Sequence, residues 1–140
     1  MGNTQVEIRP PKSAVEIAAF GNICDKVGVP SSLASMGGEN ERGLMALTKE
    51  GVVIGGITYA VCPDGNPNEK IACIDALAVH PDYQRRGIGK NIISTLLELL
   101  RQDRVTEVTT IPIGFSKAFY LKFGFVPDYE CDPIYMKLPM

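Results

Sequence analysis

Leu77-Ala78-Val79-His80-Pro81-Asp82-Tyr83-Gln84-Arg85-Arg86-Gly87-Ile88-Gly89-Lys90 joins two segments of different periodicity, and the junction decides the fold. Before it, Ile71 to Val79 is almost continuously apolar, which predicts a central strand covered on both faces. After it, Ile88, Ile92, Leu96 and Leu100 recur at every fourth position, with Ile93 and Leu97 beside them: the wide apolar face of a helix. A turn between such a strand and helix points backbone N–H groups at one spot, where the helix dipole favours an anion. Gly87 and Gly89 remove Cβ atoms where phosphate oxygens would press on the backbone. Arg85, Arg86 and Lys90 add positive charge to a chain whose net charge is −2. The segment reads as a pyrophosphate cradle. Two other phosphate loops are excluded. A P-loop fails because Gln84 stands at its first glycine and Asn91 follows Lys90, and a dinucleotide fingerprint fails at Ile92.

Working outward, Gly43 to Thr48 and Val52 to Val61 flank Lys49-Glu50-Gly51, a hairpin signal with Gly51 expected at positive φ. Gly55-Gly56 inside the second strand predicts a close packing contact or a bulge. Further upstream, Val6 to Ile8 reads as a short strand stopped by Pro10-Pro11, and Ser13 with Glu16 forms a capping box for a helix. Residues 28–43 allow a short helix or a loop. Downstream, Val105 to Ile111 is a strand interrupted by Pro112 and Gly114, Ala118 to Lys122 a short helix stopped at Gly124, and Ile134 to Leu138 the strand that closes the sheet. Early hairpins and late crossovers predict an α/β layer fold with a mixed sheet, in one domain over residues 1–140.

Composition narrows the function classes. A pI near 5.4 is unsuited to nucleic-acid binding. The four cysteines form no CxxC pair and His80 is the one histidine, so no structural zinc site, or other metal site, is expected. Cys73 reads as a small buried hydrophobe. No apolar run reaches the roughly 18–20 residues of a membrane span, and Met1 to Gln5 lacks the build of a signal peptide. No membrane partner and a cytoplasmic location are the expectation.

Leu77 to Gly89 closely resembles the acetyl-CoA-binding motif of the GNAT (GCN5-related N-acetyltransferase) family, Q/R-x-x-G-x-G/A after a strand end of the LAVHP kind. Gln84, Gly87 and Gly89 stand on its defining positions. Phe119-Tyr120-Leu121-Lys122-Phe123-Gly124-Phe125 is similar to the family's FYxxxGF segment. The resemblance implies a central mixed sheet splayed between strands 4 and 5 and flanked by helices, with the pantetheine arm of acetyl-CoA inserted in the splay. Leu77, Ala78 and Val79 would then hold pantetheine through their backbone, and Gln84, Arg85, Arg86, Gly87, Ile88, Gly89 and Lys90 the pyrophosphate. On the same resemblance, Ser116 stands where the family often has alanine and would replace some of the cofactor contact; Ile113 stands where it often has asparagine and would not.

Acetyl transfer to an amine requires loss of the ammonium proton, donors for the developing oxyanion and a proton for the departing thiolate. Asp75 is the sole charge between Ile71 and Val79, where an unpaired carboxylate is costly unless it faces a wet cleft. It falls on the strand where several family members carry a base, and we read it as the general base, directly or through a water. A structural ion pair is the competing reading. Tyr120 matches the family tyrosine and reads as the acid, against a core aromatic with a merely satisfied hydroxyl. Backbone N–H groups near Leu77 would polarise the carbonyl, and His80 reads as structural. An acetyl-Cys73 route has no base nearby in sequence, so direct transfer stands above it. The expected acceptor is a small-molecule amine, since 140 residues leave little room for a peptide-docking insertion. A protein N-terminus or lysine as acceptor, or a non-catalytic acyl-CoA-binding module, are the alternatives. A homodimer through the C-terminal strands is implied by the resemblance, and Ile134 to Met140 is apolar enough for an edge that wants cover.

Overall fold

Strands and helices alternate along the chain much as the patterns predict. The computed structural model describes residues 6–30, 41–63, 69–111, 116–128 and 135–140. Seven strands, β1 (Val6–Arg9), β2 (Glu41–Thr48), β3 (Val53–Pro63), β4 (Lys70–Val79), β5 (Val105–Thr110), β6 (Val126–Asp128) and β7 (Tyr135–Pro139), form one sheet in the order β1-β2-β3-β4-β5-β7-β6. Only β4 and β5 pair in parallel, so the sheet is mixed, as expected. The β2–β3 turn closes with Gly51 at φ 86° and its N–H on the Thr48 carbonyl at 2.9 Å.

Helix α1 (Ala14–Val27) covers one face of the sheet and α2 (Ile88–Gln102) the other. On α2, Ile92, Ile93 and Leu96 are fully buried, each contributing about 2 kcal/mol of apolar transfer. Gly56 allows α1 its close approach: a Cβ there would stand 2.8 Å from the Leu44 carbonyl and 3.1 Å from the Phe20 ring. At the start of α1, Ser13 caps the Glu16 N–H while the Glu16 carboxylate accepts from Lys12 N at 2.9 Å. The Arg9 fork grips the same carboxylate at 2.9 and 2.8 Å, tying β1 to the helix.

Two features of β4 set up the site. Its pairing with β5 runs from Lys70–Val105 to Ile74–Thr110 and ends there, although β4 continues to Val79. Beyond Ile74 the β5 side of β4 has no ladder partner among the described residues, which is the splay expected between strands 4 and 5. On its other side, Thr58 of β3 faces Ala76 and Tyr59 faces Ile74, so Asp75 is the extra residue of a bulge. Ala72 and Ile74 lie in the core under α2, whereas Ala76 and Ala78 lie under α1 and it is Leu77 and Val79 that pack on the α2 side.

Three expectations are corrected. Strand β4 is not covered on both faces along its whole length: Ala72 and Ile74 are buried on the α2 side and Ala76 and Ala78 on the α1 side, but the residues between them are half-buried. Cys73 is one of those, and its Sγ accepts a hydrogen bond from Thr109 Oγ1 at 3.2 Å. Strand β7 is not an edge; it lies between β5 and the unforeseen β6, so the sheet margin there is three residues of β6. The turn after β4 also contains an unforeseen 3-10 helix, Pro81–Tyr83.

Candidate active site

The turn after β4 is built by its own side chains. The backbone N–H of His80 donates to the Ile54 carbonyl at 2.8 Å, and its side-chain Nδ1 accepts from Asp82 N at 3.1 Å, capping the 3-10 helix. That is a structural role, as read. Gln84 Nε2 donates to the Val79 carbonyl at 3.0 Å and folds the loop back on the strand end. Arg85 and Gly87 then take left-handed backbone, φ 64° and 78°. For Arg85 this conformation costs about 1–2 kcal/mol, a strain the surrounding loop must hold.

Gly87 is the N-cap of α2 and supplies no side-chain cap, and the first turn of the helix carries no acidic residue. The leading amides therefore lack the partner that a capping oxygen would give. No other part of the described chain lies within 4 Å of where a Gly87 Cβ would stand. At Gly89 a Cβ would meet only the Phe119 ring at 3.6 Å and a Val79 methyl at 3.9 Å, ordinary contacts, which is why a motif with glycine or alanine suits this place.

Above these amides opens a cleft of about 810 Å³. Its floor and loop wall are Leu77, Val79, Tyr83, Gln84, Arg85, Gly87, Ile88, Gly89 and Lys90, and its opposite wall is Phe119, Lys122 and Phe123 of α3 (Ser116–Lys122) and the turn after it. Most of the expected cofactor contacts thus meet in one place. Arg86 does not line the cleft; its guanidinium lies over the Tyr83 ring, 5.3 Å from the centroid. Ala78 faces the α1 core, leaving only its backbone for contact. Ser116 opens α3, but its side chain, like Ile113, lies outside the described residues. Lys122 and Phe123 received no role from the sequence, although they stand in the FYLKFGF segment; the signal was a cation and an aromatic beside the matched tyrosine.

The cleft fits a pyrophosphate with an extended arm. It offers uncapped amides, an open space over Gly87, cations on both walls and, along β4 beyond Ile74, a backbone edge with no ladder partner on the β5 side among the described residues. Among the described residues no cluster of His, Cys, Asp or Glu is arranged to hold a metal ion.

The two residues read as acid and base, Tyr120 and Asp75, are not among the residues that line the cleft. Asp75, half-buried on the bulge, makes no hydrogen bond or ion pair among the described residues. Burial, with a smaller push from the Glu41 carboxylate, raises its pKa above the ordinary carboxylate value. Tyr120 is 3% exposed, packed against Phe125 and Phe119 with ring centroids 5.2 and 5.6 Å away. Burial pushes its phenol up to about 12, opposed by a hydrogen bond with the Thr110 side chain. The cleft wall itself is Phe119; Tyr120 lies beside it, inside the core.

Residues 16–125 match the Acetyltransferase (GNAT) family. The sequence is 37% identical over 57 residues to the uncharacterized N-acetyltransferase ycf52 of Pyropia yezoensis, a match covering 41% of this chain and 33% of that one, so it spans about a third of the relative's length. Among solved structures, the GNAT N-acetyltransferase YhbS of Escherichia coli, in complex with CoA, superposes with a TM-score of 0.79 at 18% identity, over 99% of this chain and 83% of that one. The ribosomal-protein-S18-alanine N-acetyltransferase of Escherichia coli gives 0.75 at 22%, over 96% and 94%. At these identities the structural likeness concerns the fold.

Proposed function

The chain belongs to the GNAT acetyltransferase family, and from that premise we propose that it moves an acetyl group from acetyl-CoA directly to the primary amine of a small molecule in the cytoplasm. The observation that carries this reading is the conjunction of the uncapped, cation-flanked α2 terminus with the fork of β4 and β5: a phosphate site and an amide-pairing edge in one cleft. The amides of Gly87, Ile88, Gly89 and Lys90 and the charges of Arg85, Lys90 and Lys122 hold the pyrophosphate. The β4 backbone from Leu77 to Val79 orients the arm, and a backbone N–H near Leu77 polarises the acetyl carbonyl. Asp75 takes the ammonium proton, directly or through a water, and Tyr120 gives its proton to the departing sulfur.

Direct transfer stands above an acetyl-Cys73 route because the neighbour of Cys73 is Thr109, a hydroxyl donor and no base. Thiol release from acetyl-CoA, followed over a panel of diamines, amino sugars and N-terminal peptides, tests the reading. A small amine should be acetylated in preference to any peptide; release with peptides alone would move the acceptor to a protein N-terminus, and CoA binding without release would leave a sensor. A homodimer belongs to the same reading, and sedimentation of a clean monomer at micromolar concentration removes it.

A further inference from the structure

The two walls of the cleft differ in chemistry. The loop wall brings the leading amides of α2 together with Arg85 and Lys90, donors and charge enough for a pyrophosphate. The far wall brings two aromatic rings and a cation, Phe119, Phe123 and Lys122. Rings add nothing to the binding of a phosphate; a ring beside a cation suits a flat base that carries a phosphate close by. The far wall starts at the phosphate end. Phe119 stands 3.6 Å from where a Gly89 Cβ would lie, against the second residue of α2. Phe123 follows four residues on, half-buried, its centroid 5.1 Å from that of Phe119 with the planes tilted by 55°. Lys122, exposed at the end of α3, makes no ion pair or hydrogen bond among the described residues. Tyr83, the ring of the loop wall, is already engaged, with the Arg86 guanidinium 5.3 Å over it and the His80 ring in edge contact at 6.0 Å.

We propose that the far wall is a subsite for the adenosine 3′-phosphate of acetyl-CoA: the Phe123 ring stacks on the adenine base and Lys122 pairs with the 3′-phosphate. The inference rests on the CoA reading given above and narrows it, moving Lys122 from the pyrophosphate to the third phosphate. The connectivity of CoA supports the division. Its two anionic centres are a ribose apart, and the cleft holds its cations in two groups, Arg85 and Lys90 on one wall and Lys122 on the other. A lysine in the last turn of α3 also suits the helix dipole, but that role is indifferent to which ligand is bound. The consequence is donor selection. A carrier that presents the same acetyl-pantetheine arm without the nucleotide would leave this wall unused.

Titration calorimetry on the full chain tests this with two probes, CoA and dephospho-CoA, which lacks only the 3′-phosphate. Wild type should bind CoA about threefold to tenfold more tightly. Lys122→Gln should abolish that preference by weakening CoA alone, and Lys122→Arg should keep it. Phe123→Leu should weaken both probes alike, about fivefold or more, while Phe123→Tyr, which keeps a ring, should bind as wild type does. Phe123→Met takes the place of the leucine variant if thermal unfolding shows that it does not fold. An equal loss of both probes in Lys122→Gln would return the lysine to the pyrophosphate and overturn the inference. So would a wild type without the preference, or Phe123→Leu and Phe123→Tyr binding alike. Each of these leaves the transferase reading in place. A preference that depends on Lys122, in a protein that acetylates no amine, supports this inference and removes the transferase reading. A wild type that binds neither probe removes both.

Discussion

At Asp75 a half-buried carboxylate has no side-chain hydrogen bond or ion pair among the described residues, and burial, with a smaller push from the Glu41 carboxylate, raises its pKa. The sign follows. A folded-state pKa above the unfolded one favours the native state below the unfolded value, and that gain is lost as pH rises through the folded value. At neutral pH the charged group therefore works against the fold, and Asp75→Asn should melt no lower than wild type. Its turnover should nevertheless fall about 10²-fold near neutrality and recover in part at higher pH, where the amine arrives already deprotonated. Tyr120→Phe should slow the reaction without that rescue, and both variants should bind acetyl-CoA normally by calorimetry. Full turnover in both across pH would return the pair to structural roles. Gly87 and Gly89 divide in the same residue-level way. Gly87→Glu should abolish the thermal shift given by acetyl-CoA, because a carboxylate would enter the open space over a positive-φ residue, whereas Gly89→Ala should retain it.

Among the elements, the junction of β1 with α1 depends on one carboxylate. Glu16 is bonded first by the Arg9 guanidinium and next by Lys12 N, which hold its pKa down to about 2. A depressed acid stabilises above its unfolded value and ceases to as pH falls toward the folded one. The melting difference between wild type and Glu16→Gln should therefore be constant above about pH 4.5 and close as the pH approaches 2. A gap that persists at low pH would assign the effect to helix propensity instead. At the other packing contact, Gly56→Ala should cost about 2 kcal/mol in denaturant unfolding, since the Leu44 carbonyl is backbone and cannot give way. These elements were legible: the fourfold spacing of α2, the turn residues of the β2–β3 hairpin and the capping residues of α1 each belong to a local pattern. Strand β6 was not, being three residues with Pro127 in the middle. The bulge was equally hidden, because Ala72 to Val79 is apolar on either alternation apart from Asp75 itself, and a lone charge does not show that the register slips there.

For the molecule as a whole, the site was readable where it is contiguous and opaque where it depends on how distant elements meet. The loop from Gln84 to Lys90 announced itself through glycines and charge, but that Lys122 faces it follows only from where the fold sets α3, and that Arg86 turns instead to Tyr83 follows only from the backbone path of the turn. Removing Lys122 from the far wall, as Lys122→Gln, should weaken acetyl-CoA binding about threefold to tenfold by titration calorimetry, more at low salt than at high. No change at either salt would leave phosphate binding to the loop alone. The bulge on β4 has one more consequence. Because Asp75 is the extra residue, its deletion would let Ala76 follow Ile74 in regular alternation and keep Leu77 and Val79 on the α2 side. Drawing Asp75 into the ladder would instead carry Leu77 and Val79 beneath α1 and bring the methyls of Ala76 and Ala78 to the cleft. Asp75 thus stands outside the strand's count, so substitution or loss there is a question of chemistry, and whether the bulge holds is a question of whether the cleft has a floor.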